Sequence, residues 1–262
     1  MISHLNAKVS SSDIRGALKD LVLTLPSQPV KQSEQRLTTP GHLHNPYEGV
    51  RYAWQLDETV DAFLTRLPPS TTRETASEYW IYICNPFVPR KSKPQSANQH
   101  VGGCEDEAPL ETDTELDTFI EGGMGRLHLL SDFIEKTKSM ARTKNIAARE
   151  INKERALAMT QMLDLAHHLH VRCGKWMFFP DPSTVDEIWG VVARATAANE
   201  LGVAAKVAAK GDDEGRQGSA RLICVYTRDF RDKDDVGRVL TRLRELELVK
   251  MNRRPIYYKC GK

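Results

Sequence analysis

The spacing of apolar residues along the chain predicts where helices and strands lie. Near the N-terminus, apolar residues recur every three or four positions over 14–25, which predicts a helix that ends before Pro26. The residues that follow, 26–46, are rich in Pro, Gln, Ser and Thr and predict an extended arm. We therefore expect residues 1–45 to form a helix and an arm that precede one main domain at 46–262.

The middle of the chain predicts a short helix, a strand and a long loop. Apolar residues share one face over 57–67, where Asp57 is a candidate N-cap and Pro68 ends the helix. The aromatic and β-branched run at 78–87 has no helical spacing and predicts a strand. Residues 88–117 are rich in Pro, Ser, Asn and acidic side chains. They contain too little apolar area to offset the entropy of ordering, so we predict a mobile loop.

The second half of the chain alternates between helical and strand-like segments. Two long helices are predicted at 123–143 and 146–168, with the Gly-rich run at 122–125 marking the start of the first. Strands are predicted at 171–179, 201–208, 221–229 and 254–260, with helices that begin near Pro182–Ser183 and after Asp232. A short Gly-rich tip between the two middle strands indicates antiparallel pairing. The predicted fold class is α+β, with helices on one face of an antiparallel sheet.

Charge and hydropathy restrict the function classes. The 262 residues include 37 Lys and Arg against 35 Asp and Glu, so the net charge of +2 excludes a polybasic coat over the whole chain. A polyanion would have to bind a local patch. No apolar run approaches the ~20 residues that a membrane span requires. The N-terminal residues lack the layout of a secretory signal, so we expect a soluble intracellular protein in the cytoplasm, with the nucleus as the alternative.

The chain shows no pattern typical of a metal, cofactor or catalytic site. Its five cysteines include no CxxC pair, so we expect reduced thiols and neither a zinc knuckle nor a redox dithiol. His167, His168 and His170 could offer metal ligands, but cations at a helix C-terminus are favourable without a metal. We find no GxSxG, HExxH, GxxxxGK[ST] or GxGxxG motif. The sequence therefore indicates no metal, no cofactor and no catalytic residue.

Basic residues around the Gly-rich tip at 209–220 are the candidate ligand site. Lys210 and Arg221 flank mobile amides that suit a phosphate. The alternative is a solvated hairpin tip, because acidic residues within it cancel much of the charge. Lys206 lies mid-strand, where a lysine must emerge into a groove or pair with an acid. Tyr226 is two residues from Arg228, so both are expected on one side of their strand.

The four tryptophans could stack on bases or pack in the core. Trp80, Trp176 and Trp189 lie within apolar strand or helix faces, which favours burial. Trp54 lies in a less regular segment, and we expect it to be the more exposed. The tryptophan pattern alone thus leaves nucleic-acid stacking and core packing both open.

Several sequence blocks resemble one protein family. The blocks are VDAFLTRLPPST (60–71), WIYICNP (80–86), CGKWMFF (173–179), GVAAKVA (202–208) and RLICVYTRDFRDKDDV (221–236). They are similar to the basophilic-leukaemia-expressed proteins, a eukaryotic family of uncharacterised function. The resemblance implies the fold of the cap-binding translation initiation factor of the 4E type, with a curved antiparallel sheet backed by helices.

The likeness to the initiation factor itself implies inheritance of the fold rather than of cap binding. Lys210 falls where a phosphate-contacting lysine of the cap pocket would be, and Tyr226 falls where a methyl-contacting tryptophan would be. Ala208, however, stands in place of the pocket's principal arginine. The two tryptophans that sandwich methylguanine have no counterpart, since Arg90 and Leu165 stand near their places. In a pocket that lacks those rings, a cationic base would have no cation–π contacts.

The leading hypothesis is a non-enzymatic protein that binds RNA or a phosphorylated nucleotide on the hollow face of the sheet. The candidate ligand-binding residues are Lys206, Lys210, Arg221, Tyr226 and Arg228, with Lys206 and Tyr226 expected to face solvent. The alternative is a protein–protein adaptor that acts through the helical layer and the 88–117 loop. A third hypothesis is an unrecognised hydrolase on the same sheet face. None of the three involves a membrane.

Overall fold

Five short strands form one antiparallel sheet in the computed structural model, which describes residues 43–92, 108–140, 143–211, 220–249 and 256–260. In chain order the elements are α1 (Val60–Arg66), β1 (Trp80–Cys84), α2 (Leu116–Met140), α3 (Lys144–His168), β2 (Gly174–Phe178), α4 (Val185–Ala197), β3 (Ala204–Ala208), β4 (Ile223–Thr227), α5 (Lys233–Glu245) and β5 (Tyr257–Cys260). The strand order is β1-β3-β4-β2-β5, and each neighbouring pair is antiparallel. The predicted α+β class and the strand pairing are confirmed. The predicted N-terminal helix and residues 93–107 of the predicted loop lie outside the described residues.

The register of the central strands decides which side chains share a face. Lys206 of β3 lies opposite Cys224 of β4, and opposite Tyr82 of β1 on its other side. Residues directly opposite each other in a sheet, and residues two apart along a strand, point to the same face. Lys206, Tyr82 and Tyr226 are therefore on one face, which we call the lysine face. Strands β3 and β4 pair antiparallel, as the sequence predicts.

Helices α4 and α5 cover the opposite face of the sheet. Its side chains in the central strands, among them Ile83, Ala205 and Val225, are fully buried. Trp176 on this face donates from its indole Nε1 to the Val236 carbonyl of α5, at 3.2 Å. Trp189 of α4 is also fully buried. This apolar layer forms the core, because burial of such side chains contributes most of the favourable free energy of folding.

Helices α2 and α3 form a long antiparallel hairpin whose main contacts are with each other. Helix α2 begins at Leu116, so the predicted start at 123 is wrong by about two turns. Glycines normally disfavour a helix interior, but a Cβ on Gly122 would lie 2.8 Å from Leu165 Cδ2 of α3. Gly122 therefore lies inside α2 and leaves room for the Leu165 side chain, whereas a Cβ on Gly123 or Gly125 would meet nothing within 4 Å. No helix in the described ranges is long and apolar enough to cross a membrane.

Side-chain caps fix the starts of α1, α3 and α5, and Thr143 caps α3. The Asp232 carboxylate accepts from the backbone amides of Asp234 and Asp235, which confirms the predicted cap of α5. In α1 the cap is Thr59, whose hydroxyl accepts from the Ala62 amide at 3.1 Å, rather than the predicted Asp57. Both residue types make good caps, so composition alone does not separate the two candidates.

At one edge of the lysine face the side chains are buried from solvent. The Tyr47 ring stacks on the Tyr82 ring with centroids 4.9 Å apart. Beside them, the Cys84 thiol donates to Asn45 Oδ1 at 3.5 Å and is 1% exposed. Burial raises the pKa of the Cys84 thiol to about 12, despite a backbone hydrogen bond that lowers it. Cys84 therefore lacks the thiolate that reactive cysteines require.

Two glycine-to-alanine substitutions should change stability in opposite directions. A Cβ on Gly202 would lie 1.8 Å from the Tyr226 carbonyl oxygen, so Gly202→Ala should lower the free energy of unfolding by about 3 kcal/mol. A Cβ on Gly237, inside α5, meets nothing within 4 Å, so Gly237→Ala should raise it by about 0.5–1 kcal/mol. Urea titrations of both variants provide the measurement. Equal effects on the two would contradict the β3–β4 register.

Cys84 should resist alkylation in the folded protein. Because the thiolate is the reacting form and its pKa is about 12, iodoacetamide at pH 8 should leave Cys84 unmodified over the time that modifies it fully in guanidinium chloride. Peptide mapping by mass spectrometry measures the extent of modification. Alkylation of native Cys84 as fast as in the unfolded chain would show that this edge of the sheet is open to water.

Candidate functional site

Aromatic rings and lysines alternate across the lysine face. The Lys206 ammonium lies 3.9 Å from the centroid of the Trp80 ring and 5.9 Å from that of Tyr226. Lys175, from β2, also places its ammonium 5.9 Å from the Tyr226 centroid. The register produces this arrangement, because Trp80 and Lys206 are on neighbouring strands and Lys175 lies opposite Tyr226. Such contacts are cation–π interactions.

The expectation that Lys206 and Tyr226 face solvent is wrong. Lys206 is 3% exposed and Tyr226 is 1% exposed. Both side chains are on the face opposite α4 and α5, but the strand pattern carries no information on what covers that face. Rings such as Trp80 replace part of the water that a lysine would otherwise hold. The roles of Lys206 and Tyr226 as ligand contacts stay predictions.

Lys210 and Arg221 lie together at one end of the β3–β4 hairpin. Arg221 donates from Nη1 to the Ala209 carbonyl at 2.5 Å, next to Lys210. The Lys210 backbone forms a short bridge with Arg73, and its amide donates to the Thr72 carbonyl at 2.7 Å. Lys210 is half-buried and Arg73 is exposed. Three cations from two chain segments therefore lie at this hairpin end.

The environment of Arg221 is unfavourable for its charge. Burial lowers the pKa of its guanidinium, and the carboxylates of Glu74 and Asp186 raise it in opposition. Its Nε is buried and has no acceptor in the part of the chain that the structure describes. A buried donor without an acceptor costs free energy.

Arg228 lies far from the other candidates. It follows the last residue of β4, whereas Arg221 precedes the first, and it is exposed. The two residues are seven positions apart, which corresponds to about 23 Å along a strand. The five predicted residues therefore do not form one pocket. Two are buried on the lysine face, two are at one hairpin end, and Arg228 is at the opposite end of β4.

A cleft that the sequence did not predict lies beside Lys210. It has a volume of about 580 Å³ and is open to solvent. It is lined by Arg51, Tyr52, Arg66, Leu67, Pro68, Thr71, Thr72 and Arg73. Its arginines come from three separate places in the sequence, so no single sequence window reveals the cluster. The nearest signal is TTR at 71–73, which follows the prolines that end α1.

His167 and His170, candidate metal ligands in the sequence, pair with different carboxylates. His167 pairs with Asp229 at 3.0 Å, whereas His170 pairs with Asp113 at 2.7 Å. Glu111, Asp113 and His170 do bring three ligand atoms within 4.8 Å of one another. However, Glu111 already pairs with Arg90 at 3.1 Å, and this guanidinium would repel a cation. We assign no metal to this cluster.

Trp54 is buried rather than exposed. It is 8% exposed and donates from Nε1 to the Glu58 carbonyl at 3.1 Å. Trp176 is 8% exposed and Trp189 is fully buried, which confirms that both pack in the core. Trp80 is half-buried beside Lys206. Since these four are all the tryptophans of the chain, no exposed indole is present to stack on a base.

A comparison with known families identifies the chain. The family described as basophilic leukemia-expressed protein Bles03 matches residues 12–262. The match includes every strand and helix described above, together with the candidate residues at the hairpin end and in the cleft. It also includes the blocks on which the resemblance in the sequence was based. The chain therefore belongs to the Bles03 family of basophilic leukaemia-expressed proteins.

Proposed function

We propose that the protein is a non-enzymatic binding protein for RNA or phosphorylated nucleotides, with a fold like that of the 4E-type cap-binding factor. The antiparallel sheet with α4 and α5 on one face is in keeping with such a fold. The sequence blocks at β1, β2, β3 and β4 support it, because they resemble that factor's strands in the same order. The ligand contacts are proposed at the hairpin end, where Lys210 and Arg221 are within reach of solvent.

The observation that carries this proposal is the partial burial of the Arg221 guanidinium. The charge of a half-buried guanidinium is less well hydrated than that of an exposed arginine, so it benefits more from a bound anion. Lys210 adds a second cation on the adjoining strand. Phosphate oxygens accept from guanidinium and ammonium groups in this way in many nucleic-acid-binding proteins. The nearby carboxylates of Glu74 and Asp186 limit the attraction, so the predicted binding is moderate and sensitive to salt.

Recognition of the methylated cap is not part of the proposal. A cap-binding site needs two exposed aromatic rings to enclose a cationic base. Each of the four indoles of this chain is buried or lies against Lys206. Lys206 and Tyr226 remain proposed contacts only for a ligand that enters the lysine face. Arg228 is proposed to contact longer RNA, because only a chain of several phosphates extends from one end of β4 to the other.

Removing the hairpin-end cations should weaken RNA binding. We expect Arg221→Ala and Lys210→Ala each to reduce the affinity for a fluorescein-labelled 12-nucleotide RNA about tenfold in an anisotropy titration. The plot of log affinity against the logarithm of the salt concentration should become less steep. Its slope should decrease in magnitude by about 0.7 for each phosphate of the single strand that loses its cationic contact. Arg228→Ala should weaken binding of this RNA but not of a mononucleotide.

Arg149→Ala is the matched control for these variants. Arg149 is exposed on α3 and its removal changes the net charge equally. If Arg149→Ala weakens binding as much as Arg221→Ala, the attraction is unspecific and the hairpin end is not the site. Undetectable binding of RNA and nucleotides to the wild-type protein at low salt would contradict the proposed function itself.

The α2–α3 hairpin favours a second candidate function, that of a protein–protein adaptor. Leu129 and Leu157 are 65% and 48% exposed. Arg126 contacts Glu154 and Gln161 across the hairpin, and residues three or four apart share a helix side. Leu129 of α2 and Leu157 of α3 are therefore neighbours on the side of the hairpin where Arg126 contacts Glu154 and Gln161. Exposed neighbouring leucines on a long helical hairpin suit the apolar face of a partner's amphipathic helix.

A double substitution tests the adaptor function. Leu129→Gln with Leu157→Gln should abolish capture of partner proteins and leave the melting temperature within a few degrees, because both side chains are exposed. The control is Leu43→Gln with Leu56→Gln, which changes two leucines that are 45% and 38% exposed outside the hairpin. Quantitative affinity capture compares the three proteins. Identical capture profiles would exclude the hairpin as an adaptor surface.

A further inference from the structure

The open cleft between the 51–52 segment and the loop after α1 has the size of a small-molecule site. Its volume of about 580 Å³ falls within the range of about 300–1,000 Å³ that is usual for ligand sites. Three of its lining residues are arginines and none is acidic. A cleft with this charge favours an anion, because field lines of one sign are concentrated between its walls.

Arg66 and Arg51, two of the three arginines, have different roles. Arg66 uses its guanidinium within the protein. It donates from Nη1 to the Arg51 carbonyl and from Nη2 to the Ala53 carbonyl, both at 3.0 Å, and it pairs with Glu58. Arg66 therefore holds the 51–53 segment in place. Arg51 is exposed and forms no ion pair with an acid within the described ranges, so its charge is available to a ligand.

Tyr52 connects the two sides of the cleft. Its ring lies under the Arg51 guanidinium, with 5.7 Å from the guanidinium carbon to the ring centroid. Its hydroxyl donates to the Arg73 carbonyl at 2.9 Å. Since Tyr52 is 8% exposed, it is itself a fixed support. One side chain thus orients Arg51 directly and holds the backbone of Arg73 opposite it.

The loop that carries the remaining donors is anchored at its base. The Thr72 amide donates to the Pro68 carbonyl at 2.9 Å, which closes a turn. The Ser70 amide donates to Asp186 Oδ1 at 2.8 Å and ties the turn to α4. The hydroxyl-bearing side chains of Thr71 and Thr72 line the cleft from this turn. A fixed turn reduces the entropy that a ligand must overcome to order its contacts.

We propose that this cleft binds the phosphate group of a nucleotide or of an RNA chain. Arg51 and Arg73 supply the cationic contacts, Thr71 and Thr72 supply hydroxyl donors, and Tyr52 is the positioning residue. Guanidinium forks match phosphate oxygens in geometry, and a phosphate offers enough acceptors for two arginines and a hydroxyl at once. This inference rests on the proposed function and adds a second contact point for the same ligand class.

The cleft and the hairpin end adjoin each other at Arg73. Lys210 forms its backbone bridge with Arg73, and Arg73 lines the cleft. A ligand with more than one phosphate therefore reaches both places. A nucleoside triphosphate fits the cleft in size, whereas RNA would extend from the cleft toward Lys210 and Arg221. The two sources of phosphate are distinguished by titrating each separately.

The test uses calorimetric titration of the full chain with ATP and, separately, with a 12-nucleotide RNA. Arg51→Ala should weaken at least one of them about tenfold, and Arg51→Lys should restore part of the loss. Tyr52→Phe keeps the ring and removes the hydrogen bond to Arg73, so it should weaken binding about threefold. Circular dichroism melts confirm that each variant is folded. Arg149→Ala is again the charge-matched control.

The outcomes separate the cleft from the hairpin end. Weaker binding with Arg51→Ala but not with Arg149→Ala supports the cleft, whether or not Arg221→Ala also weakens binding. Weaker binding with Arg221→Ala and unchanged affinity with Arg51→Ala overturns the cleft and leaves the proposed function standing. Equal weakening with Arg51→Ala and Arg149→Ala also overturns it. No binding of ATP or RNA to the wild-type protein contradicts the cleft and the proposed function together.

Discussion

The antiparallel register between β3 and β4 is the constraint on which the arrangement of charges depends. Because Lys206 pairs with Cys224 in this register, its side chain is on the same face as Tyr226. There it contacts the Trp80 ring of the neighbouring strand. Lys210 lies two residues beyond the end of β3, where the sheet no longer encloses it. One hairpin thus contains a lysine that is buried and another that is accessible. This separation decides which cations can bind an anion without a change in the fold.

Most of the fold follows from periodicity, because the apolar face of each element must be buried somewhere. The strands and α5 are predicted within a few residues, and Asp232 caps α5 as its position suggests. The start of α2 is predicted wrongly, since the reason for a glycine at position 122 is the contact with Leu165 in another helix. Propensity describes a residue within its own segment, whereas packing depends on segments far away in the sequence.

The candidate site is harder to predict for the same reason. Lys210 and Arg221 are identifiable because they flank a Gly-rich tip, which is a local signal. The burial of Lys206 depends on Trp80, which lies over a hundred residues earlier. The cleft depends on Arg51 and Arg73, which are far apart in the sequence and both contact Tyr52. Sequence spacing reveals which face a residue occupies, but it does not reveal what lies above that face.

Two surfaces with different chemistry lie on one scaffold. The hairpin end and cleft are rich in arginine, whereas the α2–α3 hairpin exposes leucines such as Leu129. Under the proposed function, the fold is like that of the cap-binding factor but has no exposed pair of tryptophans to enclose a methylated base. The proposed ligand contacts are therefore to phosphate. The hairpin adds an independent surface that a partner protein could cover without blocking that place.

Lysine footprinting measures most directly whether the accessible cations, rather than the buried one, bind the ligand. The folded protein is acetylated briefly with and without the 12-nucleotide RNA, and each lysine is quantified by mass spectrometry. The account predicts that Lys210 is modified in the free protein and protected by RNA, while Lys206 stays unmodified in both samples. Rapid modification of Lys206 in the free protein, with protection by RNA there and not at Lys210, would contradict it.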